Sequence, residues 1–131
     1  MRIVQPEGWP RPRGYANGVV AEGRVLFISG QVAWNEREQF ESDDIVEQVR
    51  QALRNTVTML KAGGAKPEHV ARMTWYITDK REYMTRGKEI GAVYREFMGT
   101  HYPSMSMVQV AALMEDRAKV EIETTAVIPT Q

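Results

Sequence analysis

The sequence predicts an α+β fold with the element order β-β-α-β-α-β-β, in which a mixed sheet carries two helices on one face. Three observations carry that prediction. Residues 42–62 repeat Ile45, Val49, Leu53, Thr56 and Leu60 at intervals of three and four, a single buried stripe along a helix. Residues 71–78 change to a period of two, with Met73, Trp75 and Ile77 alternating against Arg72, Thr74, Tyr76 and Thr78, the pattern of a half-buried strand. The order contains two strand-helix-strand crossovers, and right-handed crossovers place both helices on the same side of one sheet.

Each element has its own local signal. Pro6, Pro10 and Pro12 punctuate residues 1–16 and predict an extended N-terminal arm, with Trp9 and Tyr15 as anchors that pack it onto the body. Residues 18–22 and 24–34 read as two strands of a hairpin turning at Glu22-Gly23. The continuous apolar run Val25-Leu26-Phe27-Ile28 predicts a central strand covered on both faces. At Ser29-Gly30-Gln31 a glycine interrupts that strand, the mark of a bulge or of another group coming close. Ser42, Asp43 and Asp44 supply capping and negative charge at the start of the first helix, and Gly63-Gly64 supplies its stop. Asp79 and Glu82 form a capping-box pattern before a second helix over residues 79–99. In that helix Gly87 and Gly91 predict close approach to the sheet. Residues 104–113 and 118–128 read as a second hairpin joined at 114–117. The sheet face opposite the helices has no covering layer within the chain, which predicts self-association.

A chain of 131 residues predicts one domain spanning 1–131, able to bury only about two thirds of the surface its unfolded form exposes. Seventeen basic residues balance seventeen acidic ones, so a partner bound mainly through phosphates is disfavoured, although a local patch stays compatible with the count. Without cysteine there is no disulfide, thiolate nucleophile or zinc-thiolate site. The N-terminus lacks the apolar stretch of a secretory signal, and no run approaches the ~18 apolar residues of a membrane span. Cytoplasmic residence without a membrane partner is the expectation.

Chemistry must therefore come from carboxylates, hydroxyls, backbone amides and water. His69 and His101 are not spaced with acidic residues as a metal pair would be, and no metal site is expected. Both read as loop residues. No nucleophile elbow, phosphate loop or dinucleotide fingerprint occurs. Glu121 and Glu123 are two residues apart on a strand and share a face with Lys119 and Thr125. Such a face is either solvated or, in a partly dry cleft, a proton shuttle.

Tyr15 in Gly-Tyr-Ala-Asn-Gly, Ile28-Ser-Gly-Gln31, the run from Gln48 to Asn55 followed by Gly63-Gly64, the stretch from Tyr102 to Leu113 and Val120-Glu-Ile-Glu123 together resemble the Rid (YjgF, reactive intermediate deaminase) family. The resemblance runs in order over nearly the whole chain. It implies a chorismate-mutase-like fold, a homotrimer with small-molecule clefts between subunits, and cofactor-free hydrolysis of enamines and imines to carbonyl compounds and ammonia. Carried over by position, Tyr15 lines the cleft, Ser29 and Gly30 form its wall, and Glu121 positions or activates the hydrolytic water.

One departure bears on substrate choice. Deaminase members carry Pro-x-Arg on the fifth strand, where this sequence has Pro103-Ser104-Met105; Gly87 matches a usual asparagine. Methionine offers a polarisable thioether where arginine would hold a carboxylate through charge-assisted hydrogen bonds worth about 1.5–3 kcal/mol each. Losing even one of them weakens imino-acid binding by roughly tenfold or more. Met105 and Met107 share a strand face and either line the cleft or pack in the core or interface. Three readings stand: a divergent imine or enamine deaminase with a more apolar substrate, a non-catalytic small-molecule-binding trimer, and, as the weakest, a ribonuclease-like activity. An arginine from elsewhere, such as Arg13, Arg24 or Arg86, would restore the conventional substrate.

Overall fold

The computed structural model describes residues 1–130, and Gln131 lies outside the described residues. In chain order the elements are β1 (Arg2–Val4), β2 (Gly18–Val20), β3 (Arg24–Val32), α1 (Ile45–Ala62), β4 (Val70–Ile77), α2 (Lys80–Thr85), α3 (Gly87–Met98), β5 (Ser104–Gln109) and β6 (Val120–Ile128). A four-stranded sheet runs in the order β3-β6-β4-β5, with β4 and β5 parallel and the other pairs antiparallel. α1 and α3 pack together on one face, and α1 lies on β3 and β6. The α+β class matches the sequence pattern, and the arrangement is the chorismate-mutase-like one that the family resemblance implies.

β6 occupies the middle because its alternate residues Val120, Ile122, Thr124, Ala126 and Ile128 are all buried and both its edges are paired. Against this row α1 lays Val49, Ala52, Leu53 and Leu60, joined by Val70, Met73 and Trp75 of β4. The predicted stripe of α1 is entirely buried. Asp44 caps the helix by accepting from Glu47 N at 3.2 Å, and Gly64 takes a left-handed φ of 80° beyond its end. The buried amide of Gln48 joins α1 to the entry of β6. Its Nε2 donates to Ser42 O at 3.0 Å and Arg117 O at 2.9 Å, and its Oε1 accepts from Lys119 N at 2.8 Å. No hydrophobic residue could satisfy those three backbone groups at once.

Four expectations need correction. β2 does not form a hairpin with β3. It pairs antiparallel with β1, Arg2 opposite Val20, so the N-terminal arm folds back on itself. Gly23 is a corner, with φ 147°, where a side chain would strike the Ile128 carbonyl. Second, β3 is an edge strand of this sheet, and Phe27 is 76% exposed on the face away from the helices. An apolar run shows that both faces shed water, but not whether the same chain covers both. Third, residues 104–113 and 118–128 form no hairpin. β5 ends at Gln109 and, among the described residues, has β4 as its one strand partner beside an isolated bridge from Ser104 to Ala16, while β6 inserts between β3 and β4, where its alternating apolar residues have a core to fill. Fourth, the second helix breaks at Arg86 (φ −104°, ψ 16°) into α2 and α3. Gly87 follows the break, and glycine favours helix propagation least among ordinary residues.

Arg86 fixes this break. Its guanidinium donates to Asp44 Oδ1 at 2.8 Å and, through Nε and Nη2, to both carboxylate oxygens of Glu89. The arginine hydrogen bond is the main reason the Asp44 carboxyl lies below its ordinary value of 3.8, and the Glu47 backbone bond adds to it. A carboxyl with a lowered folded pKa contributes stability above its unfolded pKa and loses it as pH falls through the folded value. Denaturant unfolding between pH 5 and about 2 should therefore show stability falling below about pH 4. Asp44→Asn, which keeps a capping oxygen, should flatten that part of the profile.

Candidate functional site

The candidate residues lie in three places set by the sheet. The first is the open face. Ile28 pairs with Thr124 and Gln31 with Ile122, so Ser29 and Gly30 together oppose Glu123 in a bulge. The bulge brings the Gly30 α-carbon against the half-buried Glu121 side chain. A Cβ at Gly30 would overlap the Glu121 carboxylate and its Cγ. Glycine is needed here for space, since its φ is not in the left-handed region. Across the strand pair Tyr76 faces Glu121, and its hydroxyl donates to Glu123 Oε1 at 3.4 Å. Among the described residues the Glu121 carboxylate has no hydrogen-bond or ion-pair partner, so it is free to accept from a ligand or a water.

The second place is a groove of about 240 Å³ on the helix side, between α3 and β5. Met105 and Met107 alternate with Ser104 and Ser106 and so face this side, with Met105 packed at the core's edge. Gly87 and Gly91 form the helical wall. Contrary to the expectation of close packing, a Cβ at Gly87 would meet nothing within 4 Å. These glycines hold the groove open. Trp75, Tyr94 and Tyr102 provide aromatic walls, with Tyr94 and Tyr102 stacked at 5.2 Å and 14°. The Tyr94 hydroxyl is spent on His101 O at 2.6 Å, and burial, reinforced by Tyr102, pushes its pKa well above the ordinary value.

The third place holds Tyr15. A cleft of about 570 Å³ is lined by Tyr15, Trp9, Arg11, Ile3 and Tyr102. Trp9 is 60% exposed and Tyr15 41%, so neither anchors the arm by burial as expected. The arm is held by polar bonds: Gln5 Nε2 donates to Trp9 O and Pro10 O, Asn17 Nδ2 donates to Gln5 Oε1, and Ala16 N donates to Pro103 O at 2.9 Å. The last of these sets Tyr15 beside the start of β5. Gly14 and Tyr102 line both this cleft and the groove, so the two adjoin.

Within one chain, then, Gly87, Met105 and Met107 converge, Tyr15 lies next to them, and Ser29, Gly30 and Glu121 sit on the other side of the sheet. Both histidines serve backbone: His69 Nδ1 accepts from Lys66 N, and His101 Nε2 lies 2.7 Å from Val70 O. The sequence reading missed Arg95, which also lines the groove. Its signal was the four-residue series Gly87, Gly91, Arg95, one helix face continued by a turn. Of the arginines named as substitutes, Arg86 is committed to Asp44 and Glu89.

A four-stranded mixed sheet with helices packed on one face gives the α+β class, and comparison with known proteins gives the family. The family model described as endoribonuclease L-PSP matches residues 10–128. The 2-iminobutanoate/2-iminopropanoate deaminase of Escherichia coli K12 is 32% identical over 130 residues, covering 96% of this chain and 97% of its own. The crystal structure of YyfB, a Rid-family protein of Yersinia pestis, superposes with a TM-score of 0.86 at 30% identity, covering 97% and 98% of the two chains. Escherichia coli TdcF with bound serine gives 0.71 at 30% identity, covering 98% and 100%. The chain belongs to the Rid (YjgF) family. Among the described residues no helix is long and apolar enough to cross a membrane.

The Gly30–Glu121 contact is open to a direct test. Gly30→Ala should destabilise the protein by roughly 1 kcal/mol through overpacking, and Glu121→Ala should remove most of that cost in the double variant. Urea unfolding of the four proteins checks the coupling.

Proposed function

We propose that this protein is a cofactor-independent imine or enamine deaminase, working as a homotrimer on a small substrate with an apolar substituent. The observation that carries the reading is the unpartnered Glu121 carboxylate laid across Gly30 beside Ser29 on an open sheet face. Imine hydrolysis needs an oriented water, a base for its proton and an acid for the departing amine. The water oxygen bonds to the imine carbon while Glu121 takes a proton from it, and the π electrons pass to nitrogen. Glu121 returns the proton to that nitrogen. Glu121 then takes the proton of the new hydroxyl and passes it to the amino nitrogen, so that the C–N bond breaks, the oxygen becomes a carbonyl and ammonia leaves. One carboxylate serves as base and then as acid, and no metal or redox partner is required. The deaminase names of the relatives support the same chemistry.

Apolar surface supports assembly. Val25 and Val127 are paired across β3 and β6, with Phe27 next to them on the open face, a patch a monomer would leave in water. A second copy covering it would bring another chain to the face that holds Ser29, Gly30 and Glu121. The ribonuclease reading is disfavoured because that face presents Glu121 and Glu123, which repel phosphates, and the chain has zero formal charge.

Two experiments test the reading. Sedimentation equilibrium at micromolar concentration should give a trimer, and Phe27→Glu should shift it towards monomer; a monomeric parent protein would overturn the assembly. With imines generated in situ, Glu121→Gln should lower kcat for ammonia release about 100-fold or more while the melting temperature stays close to the parent's. An undiminished rate in that variant would sink the catalytic assignment.

A further inference from the structure

We infer that Arg95 is the carboxylate anchor of the groove between α3 and β5, so that the protein takes 2-imino carboxylates through a guanidinium supplied by the helix and not by the strand. The inference rests on the deaminase reading and specifies its substrate.

Two donors in this groove lack acceptors. Among the described residues the exposed Arg95 guanidinium has neither a hydrogen bond nor an ion pair, a state that several surface arginines share, and what distinguishes Arg95 is its place on the groove wall. The helix itself withholds a partner: the positions three and four residues away are Ala92, Met98, Gly91 and Gly99, none of which carries charge. Helical side chains lean towards the N-terminus, and Arg95 accordingly lies back over Gly91, where a Cβ would come within 3.4 Å of its Nη1. Gly91 thus lets the guanidinium turn into the groove. The second donor is independent of the first. Trp75 is 2% exposed and lines the groove, and among the described residues its buried Nε1 has no acceptor. A buried donor left unpaired is costly, which makes an acceptor from a ligand the economical solution.

Both orphan groups give hydrogen bonds and neither receives one, so their complement is an anion rich in acceptor oxygens. A planar carboxylate matches the guanidinium fork. The other walls, Ile90, Met105 and Met107, accept an apolar substituent, and about 240 Å³ suits a metabolite of a few carbons. Met105 then represents a moved charge: the strand position became apolar while the cation came from α3 on the same groove.

The test uses the full chain in its assembled form and a matched pair of probes, 4-methyl-2-oxopentanoate and its neutral isostere 4-methyl-2-pentanone, in calorimetric titrations. The parent protein should bind the keto acid at least about tenfold more tightly than the ketone. Arg95→Ala should bring the keto-acid to ketone affinity ratio down to about one, Arg95→Lys should keep part of it, and adding Met105→Arg to Arg95→Ala should restore it. With imino acid generated in situ from leucine by an amino acid oxidase, Arg95→Ala should raise KM at least about tenfold with kcat changed less. Equal binding of the two probes by the parent, undiminished keto-acid binding by Arg95→Ala, or a change in its sedimenting mass would each overturn the inference. Glu121→Gln separates this from the deaminase reading. If that variant hydrolyses imines normally while Arg95→Ala loses keto-acid binding, the anchor stands and the catalytic assignment falls; the reverse pattern leaves the catalyst and removes the anchor.

Discussion

Strand β6 carries two duties that a strand can combine only because successive side chains point to opposite faces. Val120, Ile122, Thr124, Ala126 and Ile128 seal the core beneath α1, and the intervening Glu121, Glu123, Thr125 and Val127 build the uncovered face. A slip of one residue in its register would bury two glutamates and expose the core, so the pairing of β6 on both edges is tightly specified. Every other feature of the site follows from this strand being central and correctly phased.

The sheet also divides the candidate residues. Glu121, Ser29 and Gly30 belong to one side, the methionine and aromatic groove to the other, and the arm with Tyr15 wraps round the β5 edge. A single chain cannot close a cleft that uses both sides of its own sheet. The self-association proposed above would bring the two sides together, because the open face of one copy can be set against the edge groove of another. The exposed apolar side chains of β3 provide a driving force for it.

Glycine does different work at each place. At Gly30 it leaves room for a carboxylate, at Gly87 it leaves a helix wall bare, and at Gly91 it gives a guanidinium somewhere to lie. None of the three takes a positive φ. The missing methyl group is the functional property here, at roughly 1 kcal/mol of helix propensity for each of the two on α3. That expense is consistent with a groove that must stay open.

The sequence by itself determined what is local or periodic: the stripe and caps of α1, the alternation of β4, the capping of α2 by Asp79, the glycine-marked irregularity in β3 and the shared face of Glu121 and Glu123. The family motifs, which are local strings in a fixed order, were legible for the same reason. Strand order was not, because hydrophobic pattern reports that a strand is buried and says nothing of which neighbour buries it; both expected hairpins failed on that point. Two partners of Gln48, Arg117 and Lys119, lie 69 and 71 residues along the chain and were equally invisible. Arg95 could be placed on a helix face from spacing alone, yet its freedom from carboxylates and its position over Gly91 depend on how α3 is rolled against β5. That roll is set by packing between elements far apart in the chain, and only the tertiary structure decides it.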